Sequence, residues 1–120
     1  MGGPSDWEYV TVYAVDLDTL TNLTVRAAIG ALQTGDKQTW ASLFEPDATL
    51  YDDGSPRSLA TFTQEALGHE RFTSIDRVEN LGLDLTGGFH SDQWGNFRTY
   101  FRFQLSRGGK IRRLDIGQAA

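Results

Sequence analysis

The sequence predicts an α+β domain in which three N-terminal helices lie against one face of a cone-shaped, curved antiparallel sheet. Three observations carry this reading. Apolar residues between positions 18 and 68 recur at helical spacing, those from 72 onward mostly alternate as in strands, and Gly, Pro and Asp-Gly punctuation separates the segments. A chain of 120 residues has room for one such domain and not two. At that length folding buries roughly two-thirds of the unfolded surface, enough for a hydrophobic core.

Trp7 to Val15 mix aromatic and β-branched side chains and read as a strand, within an N-terminal extension, 1–17, that precedes the main domain, 18–120. Asp18 is placed to cap the first helix, with Leu20, Leu23, Ala27 and Ala31 on one stripe and Val25, Ile29 and Leu32 on another. A helix apolar on two sides must be largely buried. Gly35 ends it, and Asp36 caps a short second helix whose Trp40, Leu43 and Phe44 share a face before Pro46. A strand, Ala48 to Asp52, then closes in the turn Asp53-Gly54-Ser55-Pro56. Ser58 caps the third helix, with Leu59, Phe62, Ala66 and Leu67 on one face, and Gly68 ends it. Beyond it the pattern is all strand. Residues 72–86 carry Leu81, Leu83 and Leu85 in alternation, and residues 94–105 put Phe97, Thr99, Phe101, Phe103 and Leu105 on one side. Gly87-Gly88 and Gly108-Gly109 mark turns, and Ile111, Leu114 and Ile116 form a last strand.

Composition excludes several functions. Without cysteine there is no disulfide framework, zinc knuckle or thiol nucleophile. A net charge of −5 opposes nonspecific attraction to phosphate backbones, so no nucleic acid is expected as a partner. The charge is uneven, with 9 acidic and 3 basic side chains in residues 1–60 and an acid-free run from Arg98 to Arg113. On strands beside a hairpin such a run reads as a solvated face or a subunit contact. No stretch is apolar enough to span a membrane, and residues 1–6 lack the basic and apolar regions of a signal peptide, so the cytoplasm is the expected location. No metal-ligand spacing and no phosphate-binding glycine pattern occurs, so no metal or cofactor is expected. Asn22-Leu23-Thr24 matches a glycosylation sequon by chance, inside an expected helix.

The candidate chemistry centres on Asp52. If Leu50 faces the core, the strand's period of two turns Asp52 the same way, toward the open end of the curled sheet. A lone carboxylate there would be desolvated and raised toward the range of a general base. Asp53, in the turn, should point elsewhere and share no proton with it. The competing role for Asp52 is to hydrogen-bond within its own turn. The wall of the hollow is expected from Trp40, Leu50, Phe62, Phe97, Thr99, Phe101 and Leu114, apolar except for the Thr99 hydroxyl. His69 reads as a helix-end or solvent-facing residue and His90 as a loop residue. Trp94, Arg98, Tyr100 and Arg102 alternate on the outer side of strand 94–105, a composition that suits a protein interface.

This arrangement, with Ala31-Leu32-Gln33-Thr34-Gly35-Asp36, Leu43-Phe44-Glu45-Pro46-Asp47-Ala48-Thr49-Leu50 and Phe101-Arg102-Phe103 ahead of a Gly-Gly-Lys hairpin, resembles the nuclear transport factor 2-like superfamily over residues 18–118. The SnoaL-like and ketosteroid isomerase-like branches are the most similar. The resemblance implies a cystatin-like roll and a homodimer formed through the outer sheet face. It places Asp52 at the position of the isomerases' general base. It also puts Ala28 and Thr99 where that family carries its two oxyanion donors. Losing one such donor costs on the order of 3 kcal/mol of transition-state stabilisation, so the isomerase reaction in its familiar form is disfavoured. Two functions follow. One is an enzyme that isomerises, cyclises or dehydrates a small apolar molecule, with Asp52 moving the proton and Thr99 orienting a substrate oxygen. The other is a noncatalytic ligand-binding or dimerisation module built on the same hollow.

Overall fold

The computed structural model describes residues 15–120, so the strand expected over 7–15 lies outside the described residues except for Val15. Helix α1 (Leu23–Thr34) is capped by Asn22, whose side-chain oxygen accepts the Val25 N–H at 3.0 Å. Asp18 is therefore not the cap. Asp16 instead accepts the Asp18 N–H and holds a 3-10 turn, Leu17–Thr19, after which the backbone extends at Leu20 before turning into α1. The sequon asparagine is thus the helix cap. Gly35 ends α1 in the left-handed region at φ 73°, as its position requires, and Asp36 caps α2 (Lys37–Ser42) through the Thr39 N–H.

Strand β1 (Phe44–Asp52) begins earlier than expected, so Phe44 belongs to it and not to α2. Pro46 lies inside it, where the pairing register shifts between Phe44 and Thr49 and no ladder hydrogen bond is asked of its nitrogen. Asp53 and Gly54, at φ 49° and 83°, make the tight turn into β2 (Ser55–Arg57). Positive φ at both turn residues gives the hairpin the right-handed twist of its strands. Ser58 then caps α3 (Leu59–Ala66).

The run 72–86 is not one strand. It divides into the end of β3 (Glu70–Phe72), a bend, β4 (Arg77–Glu79), and the start of β5 (Asp84–Ser91). Asn80, Leu81 and Gly82 all have positive φ and make the turn before β5, which leaves Leu81 90% exposed. Gly87-Gly88, expected as a turn, lies mid-strand in β5. The bend 73–76 crosses that point so closely that a Cβ on Gly87 would sit 2.0 Å from the Ser74 carbonyl oxygen. The glycines are there for passage of a neighbouring backbone. Strands β6 (Gly95–Leu105) and β7 (Ile111–Gln118) complete the sheet.

The strand order is β2-β1-β7-β6-β5-β3, with β4 on the same edge of β5 as β3. Among the described residues all pairings are antiparallel except β1 with β7, which is parallel. The sheet is therefore mixed and not purely antiparallel as expected. No hairpin joins β1 to β7, so no tight turn dictates opposite directions.

The core lies between the helices and the concave face. Trp40, Ile29, Leu32, Phe62, Phe72, Leu85, Phe101, Phe103 and Leu114 are all at most 2% exposed. Trp40 packs its ring 5.0 Å from that of Phe44 and donates its indole N–H to the Thr63 hydroxyl. Burying Trp40 therefore leaves no polar atom unpaired.

Helix α1 is tied to the sheet edge by Gln33. Its amide nitrogen donates to the Phe72 carbonyl at 2.9 Å, and its oxygen accepts the Phe72 N–H at 2.8 Å. The next N–H, from Thr73, goes to Gly88 on β5, so both Phe72 backbone groups face away from that strand. Gln33 fills the place of the missing neighbour. Gln33→Leu strands both groups in the core at about 3 kcal/mol. Urea denaturation is expected to show that loss, and a change below about 1 kcal/mol would mean that β3 holds without the amide.

Candidate functional site

At the open end of the curved sheet lies a cavity of about 440 Å³, lined by the ends of β1, β6 and β7, by β2, β3 and β5, and by Phe62 of α3. Phe62, Phe89, Phe97, Phe101 and Ile116 are its apolar walls, and Trp94, 70% exposed, stands at its mouth. The rings of Phe97 and Phe101 each lie 5.6 Å from that of Phe89, which gives a continuous aromatic surface. Asp52, Asp53, Arg57, Glu70 and Thr99 are among the polar lining residues.

Of the expected wall, Phe62, Phe97, Thr99 and Phe101 line the cavity. Trp40, Leu50 and Leu114 do not. They are at most 1% exposed in the packed core. Their inward direction was legible from the alternation, but the depth at which core gives way to cavity depends on the sheet's curvature. Thr99 is buried and donates its hydroxyl proton to the Gly117 carbonyl at 2.8 Å, so its oxygen is left free to accept.

Asp52 lines the cavity, but it is not alone. Arg57, three residues past the hairpin turn, brings Nη1 to 2.9 Å from its carboxylate and Nη2 to 3.1 Å from Glu65. The same guanidinium sits 5.0 Å above the Phe62 ring. Asp53 also lines the mouth. It accepts the Gln118 N–H at 3.2 Å and donates its own N–H to the Ile116 carbonyl, tying the hairpin to β7.

A carboxyl raised by desolvation lines the cavity at Glu70. Burial pushes the Glu70 carboxyl above the ordinary glutamate value, against the weaker opposing pull of a Ser91 hydrogen bond and the Arg57 charge. The geometry of Ser91 makes that bond specific. Its hydroxyl oxygen accepts the N–H groups of Gln93 and Trp94, so its single proton goes to Glu70 Oε2 at 3.0 Å. Glu70 stands two residues before the buried Phe72. That spacing puts both on one face of β3, a signal available in the sequence once residue 70 is assigned to a strand.

His69 is exposed with Nδ1 3.3 Å from Asp92, and His90 lies in β5 and not in a loop, bonding Asn96 at 2.7 Å and Asp92 at 3.2 Å. These contacts hold the Asp92 carboxyl below its ordinary range. Among the described residues no cluster of His, Asp or Glu is arranged to hold a metal ion. No helix among them is long and apolar enough to cross a membrane.

Comparison with known proteins places this architecture. No protein-family model matches the chain, and no curated protein does. Solved structures do match. An NTF2-like protein of unknown function from Cytophaga hutchinsonii superimposes with a TM-score of 0.66 at 14% identity, over 80% of this chain and 87% of that one. An uncharacterised protein with a cystatin-like fold from Silicibacter pomeroyi gives a TM-score of 0.64 at 14% identity, over 84% and 77%. The Orange Carotenoid Protein of Anabaena, solved with canthaxanthin bound, gives 0.64 at 21% identity over 80% of this chain; the match spans only 35% of that longer protein. The fold is the nuclear transport factor 2-like, cystatin-like roll.

Because Glu70 titrates higher when folded, the folded state holds its proton more tightly than the unfolded chain, whose value is near 4.5. That contribution is fully present below pH 4.5 and is lost as pH rises through the folded value. Glu70→Gln is therefore expected to gain stability relative to the parent at pH 7 and to lose that advantage near pH 4. Urea melts at the two values check it, and an advantage that is the same at both would show that Glu70 carries no burial penalty.

Proposed function

We propose that this chain binds a small, mostly apolar molecule in the cavity at the open end of the sheet, and that a rim carboxylate moves a proton on it. The observation that carries the reading is the joining of an aromatic wall to carboxyl groups within one space of about 440 Å³. The likeness to a protein from Sinorhizobium meliloti proposed to be a polyketide cyclase, with a TM-score of 0.63 at 17% identity, supports a site of this kind in the same fold. In this reading Asp52 is the base. Arg57 orients its carboxylate, and the Thr99 oxygen positions a polar group of the ligand. The chemistry open to such a pair is isomerisation, cyclisation or dehydration, which needs no cofactor.

One observation favours a noncatalytic binding module. Asp52 is engaged by Arg57, and a base committed to an ion pair is less free to take a proton. Thermal-shift screening against neutral polycyclic and polyketide-like compounds first tests the pocket, since a ligand that binds only the folded state raises its melting temperature. With a substrate in hand, Asp52→Asn is expected to lower turnover by about 100-fold or more while ligand still binds. Unchanged turnover would remove Asp52 from the chemistry.

We also propose a homodimer through the outer sheet face. Arg98, Tyr100 and Arg102 lie there, with the Arg102 guanidinium 4.3 Å above the Tyr100 ring. Trp94, expected beside them, lies instead in the β5–β6 turn at the cavity mouth. Sedimentation equilibrium is expected to give twice the chain mass for the parent and the single mass for Tyr100→Glu. A monomeric parent would dismiss the interface.

A further inference from the structure

What a ligand would meet in the cavity can be read from its charges. Three lining residues are carboxylic, Asp52, Asp53 and Glu70, and one is cationic, Arg57. Arg57 already holds Asp52 and Glu65. An anionic ligand would have to draw it from both while facing three carboxylates. Asp53 is satisfied in part by the Gln118 N–H. Glu70 differs from the other two. Its Oε2 receives the Ser91 proton, yet among the described residues no cationic side chain lies within ion-pair distance of it. A half-buried carboxylate beside aromatic walls thus has no ion-pair partner, the Arg57 charge acting on it only from beyond that distance, and the faces of aromatic rings attract cations in their own right.

We propose that the cavity selects an apolar organic cation, a protonated amine on an aromatic or aliphatic body, with its ammonium group against Glu70. The proposal rests on the reading that the cavity is a small-molecule site, and names the class of molecule it takes. The groups that face Glu70 are consistent with it. Arg57 pulls its carboxyl down, while Asp52, Glu65 and burial push it up; His69 and Asp92 lie with it on its outward side. A seated ammonium opposes the upward push, so binding is expected to drive a proton off Glu70 and to strengthen as pH rises through its titration.

The test uses three probes that share one aromatic body, naphthylethylamine, naphthylethanol and naphthylacetate, titrated calorimetrically into the full chain at pH 7. The amine is expected to bind tighter than the alcohol by roughly tenfold or more, the size of a charge-assisted contact, and the acid weaker than both. Glu70→Gln is expected to bring the amine down to the alcohol. Its retained affinity for the alcohol shows that the variant is folded. In the parent, the amine's affinity is expected to fall as pH is lowered through the Glu70 titration while the alcohol's stays unchanged. If alcohol and amine bind equally, or if Glu70→Gln keeps the amine preference, the proposal is overturned and the cavity remains a small-molecule site. If none of the three binds, the small-molecule reading falls and the proposal falls with it.

Discussion

One side-chain amide holds the architecture of the site in place. β3 is three residues long and sits at the end of the described sheet, with β5 on one side and, among the described residues, no strand on the other. A strand that short contributes little pairing of its own. Gln33 supplies its second neighbour, meeting the N–H and C=O of Phe72 as another strand would. That bond fixes the height of β3 against α1. Phe72 then meets Phe89 edge-on at 5.1 Å and Phe101 at 4.9 Å, and Glu70, on the same face two residues earlier, reaches the cavity. An amide suits this place because it carries one donor and one acceptor side by side, the pattern of a peptide group. Carboxylate or hydrocarbon of the same length would satisfy one group or neither.

The two carboxyl groups called on at the mouth differ because of where the chain puts their neighbours. Asp52 is the last residue of β1, and the tight turn that follows returns Arg57 to within an ion pair of it. Glu70 is approached by a hydroxyl whose orientation the β5–β6 turn dictates. The first is held in an ion pair with partial access to solvent, and the second is half-buried against a neutral hydroxyl.

Much of this fold can be read from the residues, and the largest misreadings share a cause. Gly35, Asp36 and Ser58 do at the helix ends what their chemistry implies, and the alternation of Thr99, Phe101 and Phe103 does point inward. These are local facts. The misread places depend on partners distant in sequence. Gly87-Gly88 has turn composition but serves the passage of residues 73–76, and the parallel mate of β1 lies more than sixty residues away. The site followed the same division. Asp52, Phe97 and Thr99 could be placed by period alone. Arg57 and Glu70 required knowledge of which side chains meet across β2, α3 and β5. Leu50 and Leu114 obey the period yet sit too deep, because a pattern gives direction and says nothing of curvature.

The parallel join of β1 to β7 also orders events during synthesis. A chain leaving the ribosome presents β1 with its turn and β2 long before residues 111–118 exist, so one edge of β1 has no mate until β7 arrives. The hairpins β5–β6 and β6–β7 join neighbours in sequence and close at little entropic cost, whereas the β1 contact spans most of the chain. Ile116, Gly117 and Gln118 of β7 line the cup, and Ile116 also pairs with Asp52 at the end of β1. The wall of the cup is thus finished only once residues 111–118 are made, and a nascent chain short of them lacks the strand that joins β1 to β6.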